Sequence, residues 1–192
     1  LNTAFINYTC DSNLAYRPEF ISNDYQNGKK VLSSLEYELL HCDAFSISVA
    51  FIKMSGIEPL LQVFKQLENR GVPGRILTTD YLTFSEPEAF DKLNSLNNIK
   101  LKMYQTEGEK DGFHTKGYIF KDGKIYRIIV GSSNLTSSAI TINQEWNTKL
   151  VSSEDGSIAK DIVSEFDRLW NSDRALDYNE FIADYRVRYK IK

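Results

Sequence analysis

Four side chains with the chemistry of phosphate transfer stand in three separate stretches of this sequence. His114 and Lys116 are two residues apart, and Asn134 follows twenty residues after His114, with Glu145 eleven residues further on. An imidazole can attack phosphorus, while an ammonium and an amide can hold the non-bridging oxygens of a phosphate. A carboxylate at Glu145 can accept a hydrogen bond from His114 Nδ1–H, which leaves Nε2 free to attack. The residue types therefore predict phosphodiester chemistry.

The segment around Asn134 indicates a loop that would carry further contacts to a phosphate. Gly131-Ser132-Ser133-Asn134 follows a strand-like run and precedes Leu135-Thr136. We expect the Ser132 hydroxyl and nearby backbone N–H groups to support this loop. Substrate contacts are expected from Lys116, Asn134, Ser133, Thr136 and Tyr81. Aromatic residues could flank a nucleic acid strand or pack in the core, and both readings stay open for Tyr81, Tyr104, Tyr118 and Trp146.

The elements that must position these residues begin as an alternation of helices and strands. Helical spacing of apolar residues starts at Val31, and Phe45 to Phe51 reads as a strand buried on both faces. Capping boxes at Ser55-x-x-Glu58 and Ser85-x-x-Glu88 predict two helix starts, and Gly71 predicts a left-handed helix end. Strands are predicted over 75–79 and 99–103. This α-β-α-β-α-β order favours a largely parallel sheet with helices on its faces.

The second half of the sequence predicts three strands and a long helix. The strand-like runs are 113–120, 124–131 and 144–152, and Asp122-Gly123 indicates a hairpin between the first two. On such a strand, His114 and Lys116 would point to the same face. A helix is predicted from about 157 to 171, and the tail 176–192 fits either a helix or a strand. The expected fold class is α/β, with a mixed, mostly parallel central sheet flanked by helices.

Composition is that of one globular domain spanning 1–192, with a core of about 28–172 and a C-terminal extension at 173–192. No apolar run reaches about 18 residues, and the N-terminus lacks a signal-peptide pattern, so we expect a cytoplasmic protein without membrane contact. The missing initiator Met suggests a piece of a longer chain. Cys10 and Cys42 are expected to be reduced thiols, and His41, at a helix end, to be structural.

Charge is unevenly distributed along the chain. The whole chain carries −3, whereas residues 100–127 hold seven basic and four acidic residues, which gives +3 there and −6 elsewhere. A nucleic-acid enzyme of this net charge needs a local basic face, although a solvated surface would account for the same charges.

The motif set resembles the phospholipase D superfamily. The resemblance rests on His114-x-Lys116, on the Asn of Gly131-Ser132-x-Asn134, and on Glu145. It implies an α/β sandwich, a phosphohistidine intermediate and no metal or other cofactor. By position, His114 matches the nucleophile, Lys116 and Asn134 the phosphate grip, Glu145 the acid that orients the histidine, and Ser132 the loop serine. The superfamily's Asp five residues after the Lys is Lys121 here, and the single-motif nuclease branch commonly lacks that Asp.

A second resemblance covers about residues 28–152. The runs Gly74-Arg75-Ile76-Leu77-Thr78-Thr79-Asp80-Tyr81 and Gly112-Phe113-His114-Thr115-Lys116-Gly117-Tyr118 carry it. They are similar to the phospholipase-D-like domain that precedes superfamily II helicases in bacterial restriction and defence proteins. The resemblance implies a bacterial nuclease domain, with DNA as the first candidate substrate and a helicase region in the same longer chain.

A single copy of the motif implies two chains. One histidine must attack while another protonates the leaving oxygen and later activates water. His41 lacks a following x-Lys and a loop of the Gly-Ser-x-Asn kind, so the second imidazole must come from another subunit. The sequence therefore predicts a homodimer. Two alternatives remain: a non-catalytic module that binds nucleic acid on the same fold, and a lipid phosphodiesterase.

Overall fold

The computed structural model describes residues 16–24, 26–106 and 112–191. Its strands are β1 (Glu19–Ile21), β2 (Ala44–Val49), β3 (Gly74–Thr79), β4 (Ile99–Tyr104), β5 (Lys116–Asp122), β6 (Ile125–Gly131), β7 (Asn147–Ser153) and β8 (Ala175–Asp177). Its α-helices are α1 (Val31–Leu40), α2 (Met54–Ile57), α3 (Leu61–Asn69), α4 (Pro87–Asn94), α5 (Ser137–Thr141), α6 (Ser157–Trp170) and α7 (Tyr178–Ile191). Cys10 and the charged residues at 107, 109, 110 and 111 lie outside the described residues.

The strands form one mixed sheet in the order β1-β7-β6-β5-β2-β3-β4-β8. The parallel part is β2-β3-β4, as the alternation of helices and strands predicts, and every other pairing is antiparallel. The predicted α/β class with a mixed sheet flanked by helices is therefore confirmed. The expectation that the sheet is mostly parallel is wrong, because β2-β3 and β3-β4 are the two parallel pairs among the seven described pairs. Strand β5 joins β2 antiparallel, and the short strands β1 and β8 add antiparallel pairs at the two sides of the sheet.

Two apolar layers enclose the sheet. The larger layer joins one face of the sheet to α1, α3, α4 and α7 and contains the fully buried rings of Phe64, Phe90, Phe120 and Tyr185. The smaller layer lies under α6, where Phe166 and Trp170 pack against Ile119 and Ile128. Residues of β5 alternate between the two layers, since successive side chains of a strand point to opposite faces. The strand that follows His114 is thus fixed from both sides.

Both predicted capping boxes are wrong. The first helix starts at Met54, one residue before Ser55, and Met54 N–H donates to Glu86 Oε2 at 2.7 Å. The second helix starts at Pro87 after Glu86, while the Ser85 hydroxyl accepts the Ile52 N–H at 3.0 Å. A tertiary partner thus occupies the Ser85 hydroxyl, which a local capping box would have used. The positive φ of +67° at Gly71 confirms the predicted left-handed helix end.

The folded core extends beyond the predicted limits at both ends. Strand β1 pairs with β7 before residue 28, and β8 pairs with β4 after residue 172. The tail contains both structures that its sequence left open, a short strand and then α7. Phe181 and Tyr185 of α7 are buried against Phe90. The segment after residue 172 is therefore an integral part of the sheet and core. None of the helices in the described part of the chain has the length and apolarity needed to cross a membrane.

Candidate active site

The predicted site residues come together at one edge of the sheet. Strand register places Lys116, the first residue of β5, opposite Val49, the last residue of β2. It also places Gly131, the last residue of β6, opposite Asn147, the first residue of β7. The carboxyl ends of β2, β3 and β6 therefore meet the amino ends of β5 and β7. The segments that contain His114, Ser132 to Thr136 and Glu145 all leave the sheet at this edge.

His114 and Lys116 are in direct contact. The Lys116 ammonium lies 2.7 Å from Nδ1 and 3.1 Å from Nε2 of the imidazole, and 3.0 Å from the His114 carbonyl oxygen. An ammonium only donates, so it bonds to whichever ring nitrogen carries the lone pair. His114 itself lies two residues before β5, so the prediction that it stands on the strand is wrong. The two side chains nevertheless meet, as that prediction required.

The pKa of both His114 and Lys116 is lowered, and burial is the first cause in each case. Partial burial and the neighbouring Lys116 charge lower the pKa of His114 from its ordinary 6.5. Burial lowers the pKa of Lys116, and the negative charge of Glu145 opposes that shift. A lowered pKa keeps the imidazole neutral, and hence nucleophilic, down to a more acidic pH. Activity that depends on neutral His114 should therefore persist into mildly acidic solution.

The imidazole pKa can be measured directly by proton NMR. We expect His114 to titrate below 6.5, and Lys116→Gln to raise its pKa without returning it to 6.5, because only the smaller of the two causes is removed. The Cε1–H resonances can be assigned with a His41→Asn variant. A His114 pKa above 6.5, or one unmoved by Lys116→Gln, would contradict this electrostatic description.

Asn134 is held by the backbone that leaves β2. Its Oδ1 accepts the Phe51 N–H at 3.1 Å, and Leu135 N–H donates to the Phe51 carbonyl at 3.1 Å. A backbone N–H can only donate, so this bond fixes which end of the amide is oxygen. The NH₂ group remains as the donor end, which suits a phosphate oxygen. The Phe51 ring also lies edge-on to His114, with centroids 6.4 Å apart.

Glu145 is bound by the loop serine. Ser132 Oγ donates to Glu145 Oε2, and the Trp146 N–H donates to the same Oγ at 3.1 Å. The carboxylate is 8% exposed, and its charge acts on Lys116 and on the buried Tyr118 hydroxyl. The expected hydrogen bond between Glu145 and His114 is not formed in this structure. Glu145 is instead bonded to Ser132, and Lys116 is the group in contact with the imidazole.

Comparison with known proteins places this arrangement in a family. Residues 43–170 match the family model described as "Cardiolipin synthase, PLD-like domain". The chain belongs to the phospholipase-D-like family. Membership in this family supports a phosphodiesterase activity. The matched range also contains every site residue described above. No curated protein matches the chain in a sequence search.

Several solved structures share this phospholipase-D-like fold at low sequence identity. NucT from Helicobacter pylori has a TM-score of 0.66 at 17% identity, covering 85% of this chain and 99% of NucT. Nuc from Salmonella typhimurium, a phospholipase D family member, has a TM-score of 0.63 at 17% identity, covering 84% and 99%. Phosphatidylserine synthase from Haemophilus influenzae Rd KW20 has 0.60 at 13%, covering 91% and 44%. At these identities the likeness establishes the fold alone.

Two predicted substrate contacts have structural roles in this phospholipase-D-like domain. Ser133 is fully buried, and its Oγ accepts the Asn147 amide at 2.9 Å, so the expected contact with substrate is wrong. Its carbonyl accepts the Tyr118 hydroxyl at 2.9 Å. Thr136 Oγ1 accepts the Ala139 N–H at 3.3 Å as the N-cap of α5. Both residues shape the loop that presents Asn134.

The predicted aromatic contacts divide between core and surface. Tyr118 is buried, and Tyr104 packs on Phe113 with ring centroids 5.3 Å apart. Trp146 is 73% exposed beside Glu145. Tyr81 is half exposed after β3, in the segment that leads to Phe84, whose ring contacts Phe51. Only Trp146 and Tyr81 could therefore meet a substrate from the predicted set.

Three residues of the site were missed in the sequence analysis. Phe51 was assigned only to a strand, although its backbone binds Asn134 and Leu135. Asn147 fixes the loop because its amide donates a hydrogen bond to Ser133. In the sequence, it stands out only by its position two residues after Glu145. Gly56 lets α2 approach the loop so closely that a Cβ there would overlap the Leu135 carbonyl. Each acts through a long-range contact that local spacing cannot reveal.

His41 lies far from this site. It is the C-cap of α1, and its ring stacks on Tyr37 at 4.2 Å, as a structural role predicts. The chain then enters β2 at Ala44, which pairs with Lys121 at the far end of β5. The length of β2, six residues, corresponds to about 20 Å between that end and the site edge. No cluster of three potential metal ligands occurs in 16–24, 26–106 or 112–191.

Proposed function

We propose that this domain is a metal-independent phosphodiesterase, and specifically a DNA endonuclease whose active site is completed by a second copy of the chain. The main support for this proposal is the contact between the Lys116 ammonium and the His114 imidazole. At the same sheet edge, Asn134 offers its amide and Ser132 binds Glu145. His114 provides the nucleophile, and Lys116 and Asn134 can bind the phosphate oxygens. Glu145 provides a negative charge that offsets the charge of the ammonium.

The reaction is a double displacement at phosphorus. A His114 ring nitrogen forms a bond to phosphorus as the bond to the leaving oxygen breaks, and that oxygen takes a proton from a second imidazole. Water then attacks phosphorus, gives its proton to the second imidazole, and the bond to His114 breaks. Before the attack, Lys116 must release the ring nitrogen and turn to the non-bridging oxygens. Asn134 donates to the same oxygens.

No other imidazole of this sequence lies near His114, so we propose that the second one comes from another copy of the chain. The sequence contains only His41 and His114, and His41 lies at the opposite edge of the sheet. A two-fold dimer that brings two site edges together supplies His114 twice. An apolar groove of ≈ 350 Å³ begins beside Lys116 and is lined in part by Val130, Ile162 and Leu169. Because this groove lies next to the site, we propose it as a contact surface for the second copy.

Metal removal tests the reaction and separates it from lipid chemistry. We expect purified protein to nick supercoiled plasmid in EDTA at about the rate seen without chelator, because protein groups supply every step. Phosphatidylcholine and phosphatidylglycerol vesicles, assayed in parallel, should release no headgroup. The vesicle assay is needed because the matching family model is described as cardiolipin synthase. Loss of nicking in EDTA, or headgroup release without nicking, would refute the proposal.

The longer protein that contains this domain, and its role in the cell, are predictions from sequence resemblance. The runs at 74–81 and 112–118 are similar to domains that precede helicases in bacterial restriction proteins. We therefore propose that the domain serves a restriction or defence enzyme of the bacterial cytoplasm, with a helicase region in the same longer chain. A non-catalytic nucleic-acid-binding role would leave the plasmid uncut while DNA still bound.

A further inference from the structure

Two pairs of aromatic rings lie beside the segments of the candidate site, and three of these four rings are exposed. In the first pair, Phe20 is 64% exposed and Trp146 is 73% exposed, and their rings meet edge to face with centroids 5.8 Å apart. Trp146 follows Glu145 directly, and its backbone N–H and carbonyl both bond to Ser132. Rings of this size are usually covered by the protein. Here the loop that fixes the catalytic carboxylate also presents an uncovered indole.

The second pair lies on the His114 side. Phe84 is 42% exposed, and its ring meets Phe51 edge to face at 5.2 Å. Phe51 in turn contacts the exposed His114, so the three rings form a continuous row from the imidazole to Phe84. The segment before Phe84 contains Leu82 and Thr83 at φ of 55° and 47°, a conformation that costs energy for residues other than glycine. Such strain at a site edge is typical of a segment shaped for binding.

Five described segments that form this edge carry little positive charge: 50–56, 80–86, 112–117, 131–136 and 142–147. Their basic residues are Lys53 and Lys116. Their acidic residues are Asp80, Glu86 and Glu145. Arg174 and Arg188 also reach the edge from the C-terminal part of the chain, where Arg174 donates to the Gln105 carbonyl at 3.0 Å and Arg188 pairs with Asp80 at 3.2 Å. Lysine and arginine contacts to phosphates supply almost all of the sequence-independent affinity for a duplex, and these five segments offer few of them. A single strand also uses such contacts, but its bases can add stacking on exposed rings. Stacking on aromatic rings needs unpaired bases and depends little on their identity.

From these observations we infer that the two aromatic pairs bind unpaired bases on either side of the scissile phosphate, so that single-stranded nucleic acid is the preferred substrate. This inference rests on the proposed phosphodiesterase function and adds its substrate class. Phe84 and Trp146 are the specificity-determining side chains. The exposed ring of each can lie against a base while Lys116 and Asn134 hold the phosphate between them.

Binding can be measured without cleavage by using His114→Ala protein. Fluorescence anisotropy would compare a labelled single-stranded oligonucleotide of mixed sequence with the same strand in a duplex, at moderate and high salt. We expect the single strand to bind at least tenfold more tightly than the duplex. Phe84→Ala and Trp146→Ala should each weaken single-strand binding roughly tenfold. Tyr37→Ala, which removes an exposed ring from α1, is the matched control and should change nothing.

Cleavage assays in the active protein complete the test. The loss in Phe84→Ala and Trp146→Ala should fall far more on the single-stranded oligonucleotide than on bis(4-nitrophenyl) phosphate, which has no base to stack. Equal binding of duplex and single strand, or unchanged binding in both variants, would overturn the inference. So would sedimentation showing that Trp146→Ala dissociates the protein, which would make that ring a subunit contact. Absence of cleavage by the unaltered protein would refute the proposed function, and binding would still decide this inference.

Discussion

Replacement of His114 by alanine should abolish phosphodiester cleavage, with a loss of about 10⁴-fold or more, because the nucleophile is removed. Removal of a nucleophile also prevents the covalent step. After a labelled-substrate reaction is quenched with alkaline detergent, which preserves the acid-labile phosphorus–nitrogen bond, unaltered protein should retain label on histidine, whereas the His114→Ala protein should retain none. The exposed position of His114 at the sheet edge means that the fold should survive the change.

His41→Ala is the matched control for this experiment. It removes the other imidazole of the sequence, at the opposite edge of the sheet, and should leave cleavage within about twofold. Thermal unfolding of both variants should resemble that of the unaltered protein. Substantial cleavage by His114→Ala, or a comparable loss in His41→Ala, would show that the wrong histidine has been assigned as the nucleophile.

Replacement of Lys116 by alanine should lower kcat by about 10²- to 10³-fold, the usual cost of removing one donor to the transition-state oxygens. The loss should appear in kcat as well as in KM, because the negative charge on those oxygens is greatest in the transition state. It should affect bis(4-nitrophenyl) phosphate and DNA alike, since both present the same phosphate. Steady-state kinetics on the two substrates would measure it.

Lys121 offers a control on the same strand. It lies five residues along β5, at the edge far from His114, and its ammonium lies 5.8 Å from the centre of the Tyr126 ring. Lys121→Ala changes net charge by the same amount as Lys116→Ala. It should leave kcat within about twofold, so an equal loss in both variants would indicate a general electrostatic effect instead of a phosphate grip.

Much of this site follows from local spacing in the sequence. The distance of two residues between His114 and Lys116 brings their side chains into contact even though His114 precedes the strand. The hairpin at Asp122-Gly123 returns β6 antiparallel to β5, so the loop from Gly131 to Asn134 must emerge at the same edge as His114. Short-range turn chemistry and strand periodicity thus determine the convergence of three of the four groups.

Contacts between distant segments account for what spacing did not predict. Ser85 and Glu88 resemble a capping box, yet the Ser85 hydroxyl accepts the Ile52 N–H and the helix begins after Glu86. The Glu145 carboxylate has one strong donor within reach in Ser132, and this bond replaces the expected one to His114. Strands β1 and β8 have three residues each, too few for an alternating pattern to be visible. Their pairing depends on neighbours that the local sequence does not specify.

In the proposed dimer two copies of His114 build one active site, and dimers that combine an active with an inactive copy would show whether they do. Unaltered protein and tagged His114→Ala protein would be unfolded, mixed in equal amounts and refolded, and the heterodimer isolated by its single tag. If each dimer contains one composite site, the heterodimer should be inactive, and the whole mixture should show about a quarter of the activity of the same total amount of unaltered protein. A heterodimer with half the activity of the unaltered protein, or a fully active monomer, would contradict the claim.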